Sequence, residues 1–298
     1  MSRVLLTGAS GFIGRHALDA LASTGHEVHA VARKAGPDAP GVTWHEADLL
    51  EGCEVVADVE PEVLLHLAWY AEHGKFWSAP ENVRWVEASL ALMRAFVAVG
   101  GRRVAMAGTC AEYEWSRDVY PEDSPCRPAT LYGAAKHGLH VVASALAEQE
   151  GLSLAWGRLF FLYGPFEAPT RFFSSLTASL LRGERAKMTE GSQRRDFMHA
   201  ADAGAALAAL ADSPLTGAVN IASGVGVTML ELAQAIALHA GSTDLLDVGA
   251  LPSRDGEPRS LVADVTRLRG ELGWLPRISL EDGVEDTVEW WRGQLGAR

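Results

Sequence analysis

Cysteine is scarce. The 298 residues contain three, Cys53, Cys110 and Cys126, and no two of them stand at a CxxC spacing. Three are too few for a disulfide framework, and unpaired thiols fit a reducing cytosol. Long apolar runs are missing as well; nothing approaches the roughly 20 consecutive apolar residues of a membrane-spanning helix. The first strand-like run starts almost at Met1, with no basic segment and apolar core ahead of it, so a cytoplasmic protein is expected. Positive charge is in deficit: 26 Lys and Arg against 38 Asp and Glu give a net charge of −12. That balance argues against a general nucleic-acid binder or a protein drawn to acidic membranes, while leaving room for a local basic pocket. Repeats and low-complexity linkers are absent. His66 and His73 have no partners at ligand spacing, so no metal site is expected.

What is present is a core. Hydrophobic residues make up 48% and charged residues 21%, ordinary for a globular chain that fills one large domain or one domain with a smaller lobe. Short apolar runs alternate with helical patterns through the first half. "RVLLTG", "EVHAVARK", "VTWHEADL", "VLLHLAW", "RRVAMAGT" and "SLAWGRLFFLYGP" read as six strands. "RHALDALASTG" and "NVRWVEASLALMRAFVAVG" read as helices stopped by Gly25 and Gly100. Repeated β-α-β units imply a parallel sheet covered on both faces. After Pro165 the alternation loosens into helical stretches, among them "RRDFMHAADAGAALAALAD", with one further strand, "GAVNIAS".

Between the first strand and first helix stand Gly8, Gly11 and Gly14. Gly8 suits a tight turn, Gly11 close approach of the backbone to a pyrophosphate, and Gly14 packing of helix on strand. The helix N-terminus turns its N–H groups and positive dipole end toward the anion. Strand, glycine loop and helix together are the context a dinucleotide site requires. The expected fold is therefore α/β: a Rossmann-type doubly wound parallel sheet over residues 1–165 and a smaller C-terminal substrate lobe over 166–298. Residues 196–222 are expected to return to the sheet. The second strand ends in "AVARK", without the acid that binds a ribose 2′-hydroxyl in NAD sites. Arg33 there suits a 2′-phosphate, pointing to NADP with NAD as the alternative, although Arg33 and Lys34 could equally be solvated surface cations. Asp48 could accept from an adenine amino group or cap a turn.

Tyr132 and Lys136 lie four residues apart in an alanine-rich helical segment, one turn apart on one face. An ammonium ion beside a phenol is expected to lower the phenol's pKa and make it usable in proton transfer; a plain surface pair is the alternative. With the glycine loop, this pair makes the chain resemble the extended short-chain dehydrogenase/reductase family of nucleotide-sugar epimerases, dehydratases and ketoreductases. "TGASGFIG", "ADL", "HLA", "YGAAK", "RLFFLYGP" and "RRDFMHAADAG" fit its pattern in order, over essentially the whole chain. "VGALPSRDGEPRSLVADVTRLRGELGW" is similar to a segment of nucleotide-sugar 4-ketoreductases.

The resemblance implies that Thr109 completes a catalytic set with Tyr132 and Lys136. It also implies that Gly8, Ser10, Gly11, Phe12, Ile13, Gly14, Arg33, Asp48, Leu49, Leu67 and Ala68 line the cofactor with Tyr132 and Lys136. Arg195 and Arg254 would grip a nucleotide diphosphate, with Arg171 or Arg194 as possible help and Asp196 in a structural role. The pattern also breaks. The family's dehydratases carry an Asp-Glu elimination pair where this chain has Cys110 and Ala111, with Glu112 one step further on. Phe161 replaces an asparagine that contacts the sugar nucleotide. Trp69, Tyr70, Phe76 and Trp77 could line the sugar pocket or pack a core. The function implied is NADPH-dependent reduction of a nucleotide-linked 4-keto-6-deoxysugar. An epimerase that retains NAD is the alternative, and a non-catalytic cofactor-binding protein the remote one. The family also implies a homodimer built on the Tyr132 helix and the helix around "EASLALMRAF".

Overall fold

The computed structural model describes residues 2–253 and 256–296; Arg254 lies outside them. Strand β1 (Arg3–Thr7) runs through the glycine loop into α1 (Phe12–Ala22), followed by β2 (Glu27–Ala32), β3 (Val42–Glu46), α2 (Val55–Val59), β4 (Val63–His66), α3 (Glu81–Ala98) and β5 (Arg103–Thr109). A short β6 (Val119–Tyr120) precedes α4 (Leu131–Glu150), β7 (Ser153–Leu159) and β8 (Phe161–Tyr163). Then come α5 (Phe172–Leu181), β9 (Ala186–Lys187), β10 (Arg194–His199), α6 (Ala200–Asp212), β11 (Gly217–Ile221), β12 (Gly226–Thr228) and α7 (Met229–Ala240). The chain closes with β13 (Leu246–Asp247), β14 (Ser260–Ala263), α8 (Thr266–Gly270) and α9 (Leu280–Leu295).

Seven strands form one parallel sheet in the order β11-β7-β5-β4-β1-β2-β3, a Rossmann arrangement. Its central strands are apolar on both sides because both faces are covered. Along β1, Val4 and Leu6 face a core shared with α1 and α6, while Leu5 faces the core of α2, α3 and α4. Gly204 lets α6 close on α1: a Cβ there would sit 2.6 Å from the Ala17 amide nitrogen. The order reverses beside β1, which opens a crevice at the carboxyl ends of β1 and β4.

The remaining strands build a smaller sheet, β12-β10-β14-β6 with β8 added on β10, beside a two-stranded β13-β9 pair. Helices α5, α7 and α9 close a third core around Phe173, Leu176, Ile236, Val284 and Val288. Two elements differ from the sequence reading. The run read as one sixth strand is two: β7 stays in the large sheet, and after Phe160 the chain leaves it as β8 to pair with β10. "RRDFMH" is strand rather than helix, since it pairs with β8, β12 and β14. The helix starts only at Ala200, where the His199 imidazole accepts from the Ala201 amide (3.3 Å). Within 196–222, therefore, 196–199 belong to the smaller sheet, whereas α6 and β11 lie on and in the large one.

Candidate active site

The glycine loop lies at the β1 end of the crevice. Gly8 adopts φ +71°, and a Cβ there would stand 2.8 Å from the Ala68 amide nitrogen. A Cβ on Gly14 would overlap the Gly8 carbonyl oxygen. Gly11 is the N-cap of α1 and offers no side-chain cap, so the first-turn N–H groups at Phe12 and Ile13 remain for an anion. Ser10 and Gly11 are exposed. This cradle fits a dinucleotide's pyrophosphate.

A hydrogen-bonded chain that the sequence reading did not find fixes the opposite wall. Thr7 Oγ1 accepts from the Leu67 and Ala68 amides (3.2 and 3.3 Å) and contacts His66 Nδ1 at 2.7 Å. His66 Nε2 lies 2.8 Å from Ser89 Oγ, which donates to the Trp85 carbonyl. The imidazole is neutral, its pKa pushed down to about 3 by burial and then by Lys136. Thr7 and His66 are each the polar last residue of an otherwise apolar run, and the β1–β4 register sets them side by side; that polar strand end was the available signal. Leu49 is buried below the loop, and Asp48 accepts from the Leu50 amide through Oδ1 (3.0 Å), the turn-capping alternative. Arg33 and Lys34 are exposed at the end of β2.

At the other end of the crevice, α4 presents Tyr132 and Lys136 one turn apart, with Thr130 capping the helix by accepting from the Gly133 amide. The Thr109 hydroxyl lies on the Tyr132 side of the crevice and acts on the phenol; its Oγ1 accepts from the Ala111 amide (3.2 Å). Lys136 is 4% exposed; its Nζ donates to the Ala107 carbonyl (2.8 Å) and lies 3.7 Å from the centroid of the Trp69 ring. The expected lowering of the Tyr132 pKa is not what this arrangement produces. Burial pushes the phenol up to about 12 and outweighs the lowering influence of Thr109, while Lys136 points to Ala107 and Trp69. Burial also pulls Lys136 down to about 7, against the upward pull of the Glu112 charge.

Cys110 and Ala111 are buried, and the Glu112 side chain turns away from the crevice into the core. Glu112 closes a capping box with Thr109 and bonds Trp156 and Arg158. It is held there and cannot serve as an elimination base. Glu112, His137 and His140 bring donor atoms within 4.8 Å of one another, but both carboxylate oxygens are occupied and the Arg158 guanidinium opposes a cation.

The aromatic loop after β4 divides between the two alternatives left open for it. Phe76 and Trp77 stand edge-on to the Tyr132 ring at 4.9 and 5.8 Å, Trp77 partly exposed and Phe76 buried. Trp69 roofs Lys136 and stacks on Trp85 at 6.1 Å. Tyr70 points outward to Glu72. Asn82, fully buried, ties the loop down: it accepts from Trp69 Nε1 (2.9 Å) and donates to the Phe76 and Ala79 carbonyls.

The Arg171 charge acts on the Tyr132 phenol, and its guanidinium lies 6.0 Å from the Phe76 ring. Arg195 is 4% exposed and paired with Glu257 (2.7 Å), its Nη1 donating to the Arg194 and Pro258 carbonyls. Phe161 packs on it at 5.6 Å. Arg194 turns to the Gly226 carbonyl. Asp196 is an internal cap, accepting from the Ser223, Gly224 and Ala263 amides.

A family model described as the NAD dependent epimerase/dehydratase family matches residues 4–222. The chain belongs to that family. Its members are NAD-dependent enzymes of the oxidoreductase type, and among similar solved structures is MoeE5 in complex with UDP-glucuronic acid and NAD. That structure is 33% identical with a TM-score of 0.88, covering 98% of this chain and 99% of that one. Curated relatives include a UDP-glucose 4-epimerase of Mycolicibacterium smegmatis, 28% identical over 98% of this chain and 99% of its own length. Another is UDP-glucuronic acid decarboxylase 1 of Danio rerio, 27% identical over 98% of this chain and 73% of its own length. No helix among the described residues is long and apolar enough to cross a membrane.

Proposed function

We propose that this enzyme interconverts an alcohol and a ketone on the sugar of a nucleotide diphosphate sugar, and that its net reaction is reduction of a 4-keto-6-deoxysugar. The observation that carries the reading is the placing of Tyr132 and Lys136 one turn apart on α4 beside Thr109, with Cys110 and Ala111 following Thr109 where an elimination pair would stand. A dinucleotide held by Gly8, Gly11, Gly14 and the α1 N-terminus supplies the hydride. Thr109 orients the sugar oxygen at the phenol. Tyr132 gives that oxygen a proton on reduction, or takes it on oxidation, and Lys136, one turn on, is placed to meet the cofactor's ribose beside it. Phe76 and Trp77 exclude water from the phenol. Arg171 and Arg254 are the cations assigned to the diphosphate; Arg195, 4% exposed, would join them only by leaving its pair with Glu257. NAD fits by family; Arg33 and the missing acid at the end of β2 support NADPH.

The second reading, an epimerase that retains NAD and returns the hydride to the other sugar face, is favoured by the full-length similarity to a UDP-glucose 4-epimerase. Two copies are proposed to pair through α3 and α4, where Val83, Leu131, Val141 and Val142 are exposed apolar residues, and sedimentation velocity checks the dimer. The free thiols of Cys53, Cys110 and Cys126 suit a cytoplasmic setting.

The test mixes purified protein with dTDP- or UDP-4-keto-6-deoxyhexoses and either NADPH or NADH. The expected result is stoichiometric loss of reduced-cofactor absorbance, lowered at least ~100-fold in Tyr132→Phe. Tightly bound NAD and isomerisation without net redox change support the epimerase instead. Undiminished turnover by Tyr132→Phe overturns both.

A further inference from the structure

The buried charge behind the reacting groups has its own geometry. Glu112 is 0% exposed at the end of a one-turn 3-10 segment, Cys110–Glu112, that follows β5. Its Oε1 accepts from the Thr109 amide (2.8 Å) and from Trp156 Nε1 (2.9 Å); Oε2 accepts from Arg158 Nε (3.0 Å). Arg158 Nη1 in turn donates to the Tyr113 hydroxyl and the Glu122 carbonyl. Tyr113 donates to Asn220 on β11 (2.7 Å), so the network reaches the edge of the large sheet. Room for it is made by Gly108, where a Cβ would overlap Trp156 Nε1 and lie 2.6 Å from Glu112 Oε1. On the other side, the first turn of α4 rests on the same segment: a Cβ on Gly133 would overlap the Ala111 carbonyl oxygen. One short turn therefore registers both Thr109 and Tyr132.

The groups that face Lys136 come from four elements. Glu112 acts on it from the turn after β5, the neutral His66 from β4, the Trp69 ring from the loop beyond, and Tyr132 from its own helix. Behind Glu112 stand Arg158 from β7 and His140 from α4. Burying an ion pair this deeply costs desolvation that an apolar pair would avoid, so stability alone does not account for it.

We infer that the Glu112–Arg158 pair is a positioning device for the reaction proposed above: it fixes the Thr109 turn against Tyr132, with the Glu112 carboxylate as the buried anion on the Lys136 side. Neither residue touches the substrate or cofactor. The two halves separate by mutation. Glu112→Gln keeps the reach to the Thr109 amide and loses the charge. Glu112→Asp keeps the charge and shortens the reach by one methylene.

The readout is Lys136 itself. In protein carrying 13Cε-lysine, the signals belong to Lys34, Lys75, Lys136 and Lys187, of which only Lys136 is buried, and its signal is assigned by its loss in Lys136→Met. In the wild type its midpoint is expected near 7, where burial places it. In Glu112→Gln it is expected to fall by about one unit or more, and the limb of the kcat/KM pH profile that follows Lys136 should move down with it. In Glu112→Asp the midpoint is expected to stay, while kcat falls about tenfold with KM little changed. An unmoved Lys136 midpoint in folded Glu112→Gln overturns the inference, as does full kcat in Glu112→Asp, the deciding variant if the glutamine protein does not fold. If wild-type protein turns over no nucleotide sugar, the functional reading fails, yet the lysine titration still decides the charge.

Discussion

Two residues of the crevice show how little slack its atoms have. Gly14 must lack a side chain because the Gly8 carbonyl occupies the place a Cβ would take. Gly14→Ala is expected to cost about 1–3 kcal/mol of stability by overpacking and to abolish dinucleotide binding. Chemical denaturation and a fluorescence titration with NADH check both; unchanged affinity would sink the cradle argument. Lys136 shows the opposite kind of constraint, since backbone spacing alone put it one turn from Tyr132. That Tyr132 and Lys136 share a face was legible in the sequence because helix spacing is a local property; Thr109 was named only through the family resemblance. The direction of the Tyr132 pKa was not, because burial by Phe76 and Trp77 is tertiary and overrides a neighbouring charge. The pairing of Arg195 with Glu257, 62 residues away, was equally invisible.

At the scale of elements, the loop after β4 is a roof whose keystone is Asn82, at the first turn of α3. It holds Trp69 over Lys136 and anchors the Phe76 carbonyl, leaving the Phe76 ring edge-on to Tyr132. Asn82→Ala leaves the Trp69 indole N–H and the Phe76 carbonyl without these partners, while the Ala79 carbonyl keeps the amide of residue 82, at about 1–3 kcal/mol for each group left buried. The variant is expected to melt earlier and to raise KM as the loop loosens over the phenol. A thermal scan beside steady-state kinetics measures the two, and a destabilised protein with unaltered KM would show that the roof has no part in binding. The alternating strands and helices of the first half were readable because apolar runs and glycine stops recur at regular intervals. β8 and β10 were not. Three residues of β8 continue the apolar run of β7, so nothing in the sequence marks where the chain changes sheets. In β10 a mixture of charged and apolar residues merges into the alanine-rich α6, and only pairing with three neighbouring strands decides its conformation.

For the whole molecule, the buried imidazoles link stability to pH. His66 and His140 are neutral, their pKa values pushed down to about 3 and about 4, burial being the main cause in each. In the unfolded chain both return to the ordinary histidine value near 6.5. Groups depressed in the folded state stabilise it above the unfolded pKa, and that contribution drains away as pH falls from 6.5 toward 4 and then 3. Unfolding by urea is therefore expected to need less denaturant at pH 5 than at pH 7.5, before carboxylate protonation sets in. His66→Gln removes one titration, so its loss of stability between the two pH values should be smaller than that of the wild type. Its stability at pH 7.5 should nonetheless be lower, because the Thr7–His66–Ser89 chain is disturbed. Equal pH slopes in the two proteins would mean that His66 titrates normally and that this wall of the crevice is open to water.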